Sequence, residues 1–183
     1  MESIKTIILC GGLGTRLKEE TEFKPKPMVN VGGVPILWHI MKIYQHHGFN
    51  EFILALGYKG HMIREYFERR NKDGFKIHFV DTGLEALTGE RILRTRHLLS
   101  EDDFMVTYGD GVTDLHIGDL VNFHRRQGTI ATLTGVNPHS KYGLIVSDPE
   151  SKRVKGFAQK PRLHDFVNGG FMVFKKEALE HFD

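Results

Sequence analysis

Two short segments carry most of the chemistry open to this sequence of 183 residues. In Leu9-Cys10-Gly11-Gly12-Leu13-Gly14-Thr15-Arg16-Leu17, three glycines fall within four positions directly after an apolar run. Such glycines let backbone N–H groups approach an anion closely, and Arg16 adds a planar fork of donors suited to phosphate oxygens. A dinucleotide fingerprint would need glycine where Leu17 stands, and a P-loop would need a Gly-Lys-Ser/Thr ending; neither fits. In Lys24-Pro25-Lys26-Pro27-Met28 two prolines hold the backbone extended and restrict where the lysines can reach. A lysine so held, beside a glycine loop, suits a polyphosphate. Taken alone, each segment also reads as a plain turn or surface loop.

A third segment, Thr107-Tyr108-Gly109-Asp110-Gly111, places a carboxylate between glycines at the end of another apolar run. That is a fitting position for a Mg²⁺ ligand, because Mg²⁺ takes one or two carboxylates and fills its shell with water and phosphate oxygens. Asp-Gly is equally an ordinary turn. Weaker signals are Thr88-Gly89-Glu90-Arg91, which opens a helix with unpaired N–H groups, and Gln159-Lys160-Pro161 with Asn168-Gly169-Gly170. The histidines lack metal-ligand spacing, and Cys10, the one cysteine, has no activating neighbours.

The elements that must position these segments alternate strand and helix. Apolar runs at 6–10, 52–56, 76–80, 103–108 and 129–136 read as strands. Amphipathic stretches at 35–47, around 62–67, at 90–99 and at 119–127 read as helices, with Asp119 as a cap. The basic clusters Glu68-Arg69-Arg70-Asn71-Lys72 and His124-Arg125-Arg126 read as solvated helix faces. Beyond Pro138 the segments at 143–147, 154–158 and 169–175 are joined too tightly for helical crossovers, so they predict antiparallel additions. The fold class is α/β: one Rossmann-like domain over 1–183, its mostly parallel sheet flanked by helices, with antiparallel additions in the C-terminal third. Ligands of such sheets bind beyond the carboxyl ends of the strands, where the unusual segments lie.

Composition bounds the rest. Hydrophobic residues at 40% and charged residues at 26% describe a folded chain rather than a disordered or fibrous one. Twenty-five basic against 23 acidic side chains leave no field favouring nucleic acid, and no apolar run is long enough to span a membrane. The N-terminus lacks a signal-peptide succession, and a lone cysteine suits a reducing compartment, so the cytoplasm is expected.

Together the motifs resemble the sugar-phosphate nucleotidyltransferase family, on its cytidylyltransferase branch. The resemblance runs through Gly11 to Leu17, Lys24 to Met28, Pro35 to Met41, Gly57-Tyr58-Lys59-Gly60, Val80 to Gly83, Thr88 to Arg91, Thr107 to Gly111, Ala131 to Thr134 and Asn168 to Phe171. It implies a nucleotide-diphospho-sugar transferase fold and a reaction joining CTP to a sugar 1-phosphate with release of pyrophosphate. It implies Leu9, Gly11, Gly12, Leu13, Gly14, Thr15, Arg16, Lys26, Thr88, Arg91 and Gly109 as nucleotide contacts, with Arg16 and Lys26 as the catalytic cations. It further implies Asp110 as the Mg²⁺ ligand and Gly143, Gln159, Lys160 and Asn168 around the sugar phosphate. A role in polysaccharide biosynthesis follows from it, with room for a homo-oligomer. UTP or dTTP in place of CTP, or a nucleotide-binding regulatory module without catalysis, are the alternatives. Gln159 stands where the family has glutamate, the stretch between Arg70 and Val80 is short, and the chain is expected to lack a C-terminal family segment carrying a second metal-binding aspartate.

Overall fold

The computed structural model describes residues 4–12 and 23–182. In chain order the elements are β1 (Thr6–Cys10), β2 (Asn30–Val31), β3 (Val34–Pro35), α1 (Ile36–His46), β4 (Glu51–Leu56), α2 (Gly60–Arg70), β5 (Lys76–Asp81), α3 (Thr88–Thr95), β6 (Asp103–Tyr108), α4 (Ile117–Gln127), β7 (Ala131–Val136), β8 (Leu144–Ser147), β9 (Val154–Ala158) and β10 (Val167–Lys175). Short 3₁₀ turns cover Lys26–Met28, Arg96–Leu98 and Lys176–His181. The chain forms two compact units, Met1–Thr132 with Gly170–Asp183, and Leu133–Gly169.

Six strands make one sheet in the order β5-β4-β1-β6-β10-β7. β1 pairs parallel with β4 and β6, and β4 pairs parallel with β5, so the four carboxyl ends share one edge. The chain runs outward from β1 through β4 to β5, then returns to lay β6 on the other side of β1. The strand order therefore reverses between β1 and β6. β10 is antiparallel to β6 and occupies an interior place between β6 and β7. β8 and β9 form a separate antiparallel hairpin in the second unit. The expected parallel sheet with antiparallel additions is the observed one, with one refinement: β10 is inserted into the sheet rather than appended to its margin.

Alternation along the strands splits the core in two. Ile8, Leu54, Met105 and Val173 face α1, α2 and α4, meeting Leu37, Ile40, Met41, Ile63, Phe67 and Val121. Their neighbours Ile7, Ile53, Val106 and Met172 face Ile92 of α3, Leu99 and Ala178. Because both faces are covered, these strands carry continuous apolar runs, which is why they stand out in the sequence. The charged side chains at the amino edge pair among themselves: buried Lys5 reaches both carboxylate oxygens of Glu101 at 2.8 and 2.9 Å, and His78 Nε2 lies 3.0 Å from Glu51.

Three local expectations are corrected. α4 begins at Ile117, and His116 caps it by accepting from the Asp119 N–H at 3.2 Å, so Asp119 lies in the first turn instead of capping it. The helix after Thr88 stops at Thr95 and tightens into a 3₁₀ turn. His124, read as part of a solvated cluster, is fully buried; its Nδ1 meets Thr132 Oγ1 at 2.8 Å and its Nε2 has no hydrogen-bond partner.

Two consequences for stability can be measured. Ile53 is fully buried, so Ile53→Ala should cost about 2–5 kcal/mol in urea unfolding. Burial pulls the His124 imidazole below its usual range, despite the favourable charge of Asp103. A depressed folded-state value means that the unfolded chain binds the extra proton first. Stability from this site is therefore complete above about pH 6.5 and is lost as pH falls through the lower folded-state value. His124→Asn should flatten the slope of unfolding free energy between pH 7 and 5 relative to the native chain.

Candidate active site

A cavity of about 600 Å³ opens at the carboxyl ends of β1 and β6, where the strand order reverses. Its walls are Leu9, Cys10, Gly11 and Gly12 after β1, Lys26 and Pro27 of the 3₁₀ turn, Ala86, Leu87, Thr88 and Arg91 around the start of α3, and Tyr108, Gly109 and Asp110 after β6. Open α/β sheets bind ligands at this place because the loops on either side diverge there. A larger groove of about 780 Å³ in the same unit is lined mainly by Val31, Ile36, Ile43, Val112 and Leu115 with histidines of α1. The smaller cavity is the one at the strand-order reversal, where Lys26 and Asp110 meet the backbone of Gly11 and Gly12.

Two glycines are required by what packs against them. A Cβ on Gly11 would stand 2.1 Å from Nη1 of Arg91, so the guanidinium lies where a side chain would be. A Cβ on Gly109 would stand 2.8 Å from Cγ of Pro27 and 3.1 Å from the sulfur of Cys10. Gly109 thus receives the Pro27 ring, and its N–H donates to the Leu9 carbonyl at 3.0 Å. Pro27 on Gly109 brings the lysine turn against the aspartate turn. The Lys26 ammonium there forms an ion pair with Asp110, each side chain about one-third exposed.

Arg91 is the buried organiser of the site. Nη2 donates to the carbonyls of Gly11 (3.1 Å) and Leu84 (3.0 Å), and Nη1 to Gly83 O (2.7 Å), Thr82 Oγ1 (2.6 Å) and Leu56 O (3.4 Å). One guanidinium ties the ends of β1, β4 and β5 to α3, a geometry that a lysine could not reproduce. Burial draws its pKa down, assisted by the charge of Arg94. Burial pushes the Cys10 thiol far above its usual range, with Asp110 adding to the effect, so Cys10 packs here as a small apolar residue.

Of the expected site residues, Leu9, Gly11, Gly12, Lys26, Thr88, Arg91, Gly109 and Asp110 line this one cavity. Leu13, Gly14, Thr15 and Arg16 lie outside the described residues. Gly143, Gln159, Lys160 and Asn168 all belong to the second unit. There Leu144 pairs with Ala158, which sets Gly143 beside Gln159, and a Cβ on Gly143 would lie 3.0 Å from Gln159 Oε1. Lys160 follows in a left-handed conformation (φ 44°), at a cost of roughly 1–2 kcal/mol for a side-chain-bearing residue, and Asn168 lies at the start of β10. Sequence reasoning missed Pro27, Tyr108 and Leu87 as walls, and Thr82 and Gly83 as acceptors for Arg91. Only the joint presence of Pro-Lys-Pro and Tyr-Gly-Asp-Gly hinted that the two turns meet.

The Gly11–Arg91 packing gives a double-mutant test. Gly11→Ala must expel a guanidinium held by five acceptors, and should cost about 2 kcal/mol of unfolding free energy. In an Arg91→Ala background the same substitution should cost less than about a third of that, because the space is then free.

Residues 5–182 match the family described as nucleotidyl transferase. A probable glucose-1-phosphate cytidylyltransferase of Bacillus subtilis is 39% identical, the match covering 97% of this chain and 77% of that protein. The glucose-1-phosphate cytidylyltransferase of Salmonella typhimurium is 40% identical over 98% of this chain and 78% of its own length. Among solved structures, HddC from Yersinia pseudotuberculosis complexed with GMP-PN is 27% identical with a TM-score of 0.75, covering 97% of this chain and 79% of that one. With the match spanning nearly every described residue, the chain belongs to the nucleotidyl transferase family, as a sugar-phosphate nucleotidyltransferase whose close homologues are glucose-1-phosphate cytidylyltransferases.

Proposed function

We propose that this chain joins CTP to a sugar 1-phosphate, glucose 1-phosphate first among them, to give a CDP-sugar and pyrophosphate. The observation that carries the reading is the cavity at the β1–β6 reversal, with a lysine and an aspartate presented together on turns locked by Pro27 and Gly109. A phosphate oxygen of the sugar 1-phosphate attacks the α-phosphorus of CTP. The new P–O bond forms as the bond to the bridging oxygen of the β-phosphate breaks, and pyrophosphate departs with that electron pair. No covalent protein intermediate is needed; alignment and charge neutralisation suffice.

Each residue then has a role. The N–H groups of Gly11 and Gly12 and the first turn of α3 at Thr88 would receive the base and phosphates, with Arg91 holding the Gly11 carbonyl in place. Lys26 would neutralise oxygens around the α-phosphorus, and Arg16 would join it from the glycine loop. Gly143, Gln159, Lys160 and Asn168 would hold the sugar phosphate. Asp110 would hold Mg²⁺: its hard oxygen ligands suit that ion, the remaining positions suit phosphate oxygens and water, and the Lys26 ammonium already stands beside it as a cation. Bound Mg²⁺ would spread the triphosphate charge and favour pyrophosphate as a leaving group.

The test follows pyrophosphate release with CTP, UTP or dTTP against a panel of sugar 1-phosphates in the presence of Mg²⁺. CTP with glucose 1-phosphate should turn over, and Lys26→Met should lower kcat on the order of 10²- to 10³-fold, the scale of losing one preorganised charge. Preference for UTP or dTTP would reassign the base. Nucleotide binding without turnover on any sugar phosphate would leave a regulatory module and overturn the transferase reading.

A further inference from the structure

The Lys26–Asp110 pair sets two oppositely charged side chains of the cavity wall against each other, while the third charged residue described there, Arg91, is engaged by carbonyl and hydroxyl oxygens. Lys26 is the group that a triphosphate needs, and Asp110 is the group that a divalent cation needs. While paired, Lys26 Nζ engages Oδ2 of Asp110, and each charge weakens the other's attraction for a ligand. The turns that carry them are 84 residues apart in the chain and are pressed together by Pro27 packed on Gly109, so the contact is built into the fold. Each side chain keeps about a third of its surface exposed, so the pair can open toward the cavity without unfolding its surroundings.

We propose that this pair is a charge lock, which makes a divalent cation and a triphosphate enter the cavity together. The proposal rests on the reading of the cavity as a nucleotide and metal site. A cation arriving alone must strip Lys26 from Asp110 and leave the ammonium without its counter-charge. A triphosphate arriving alone must strip Asp110 from Lys26 and bring its own charge beside a bare carboxylate. When both arrive, the pair is broken once, and each freed group gains a new partner. The cost is shared, so binding of the two is positively coupled, and by linkage each tightens the other by the same factor. In the empty site Lys26 and Asp110 offset each other's charge, which discourages stray anions and cations from settling on either.

The experiment uses the full chain and two probes that contain neither base nor sugar: Mn²⁺, followed by electron paramagnetic resonance, and inorganic tripolyphosphate without metal, followed by calorimetry. Lys26→Met should tighten Mn²⁺ about fivefold, and Asp110→Asn should tighten metal-free tripolyphosphate about fivefold, the scale of a partly exposed ion pair. Lys72→Met removes the same charge from the exposed surface and should leave Mn²⁺ binding unchanged. Circular dichroism melts establish that the variants are folded. A change below threefold in either arm, Mn²⁺ binding to neither protein, or equal tightening by Lys72→Met overturns the lock. Pyrophosphate release without these shifts would sink the lock and leave the transferase reading standing. The shifts without pyrophosphate release on any substrate pair would do the reverse.

Discussion

The meeting of Pro27 with Gly109 is the contact on which the site depends. It is an apolar, shape-determined contact, and it fixes where two opposite charges stand. An ion pair at a partly exposed position is too weak to organise two loops by itself. The order of cause therefore runs from packing to electrostatics. The proline ring fills the space that a Cβ would take, Gly109 bonds back to β1 through Leu9, and Lys26 and Asp110 are left side by side at the cavity. On the other side of the cavity Arg91 does comparable work through hydrogen bonds, holding the Gly11 carbonyl and the ends of β4 and β5.

The two edges of the sheet use charge differently. At the amino edge Lys5, Glu101, Glu51 and His78 satisfy one another, with Lys5 almost entirely buried. These groups have settled partners. At the carboxyl edge the charged pair lies on a cavity wall and keeps access to solvent. Divergent loops provide the opening, and the reversal of strand order provides the divergence. Such an arrangement suits chemistry in which two anions must be brought together, the demand of phosphoryl transfer between a triphosphate and a sugar phosphate.

Much of the fold was legible because strands covered on both faces need unbroken apolar runs. Thr6–Cys10 and Asp103–Tyr108 have the expected bounds on that basis, and the helix expected over 35–47 is one residue shorter at each end, with Pro35 and His47 as its caps. The interior place of β10 was hidden, because pairing between strands distant in the chain leaves no local periodicity. The burial of His124 was hidden for a similar reason: a histidine between arginines looks solvated until Thr132 is folded against it. In the site, the glycines and prolines announced unusual backbone. That Lys26 would meet Asp110, and that Arg91 would donate to the carbonyls around it, are tertiary facts without a spacing rule.

The interior position of β10 has a consequence for how the protein comes into being. β6 is complete by Tyr108, yet the strand that pairs with its far side spans Val167–Lys175. During synthesis the growing sheet must hold an open flank of unpaired N–H and C=O groups until some sixty further residues have emerged. Open flanks of apolar strands are templates for wrong partners, and closures between distant segments are slow. Phe104 and Val106, among the most deeply enclosed side chains of the finished protein, lie beside that flank until β10 arrives. The nascent polypeptide therefore needs chaperone protection in the interval between making β6, the fourth long strand described, and making β10.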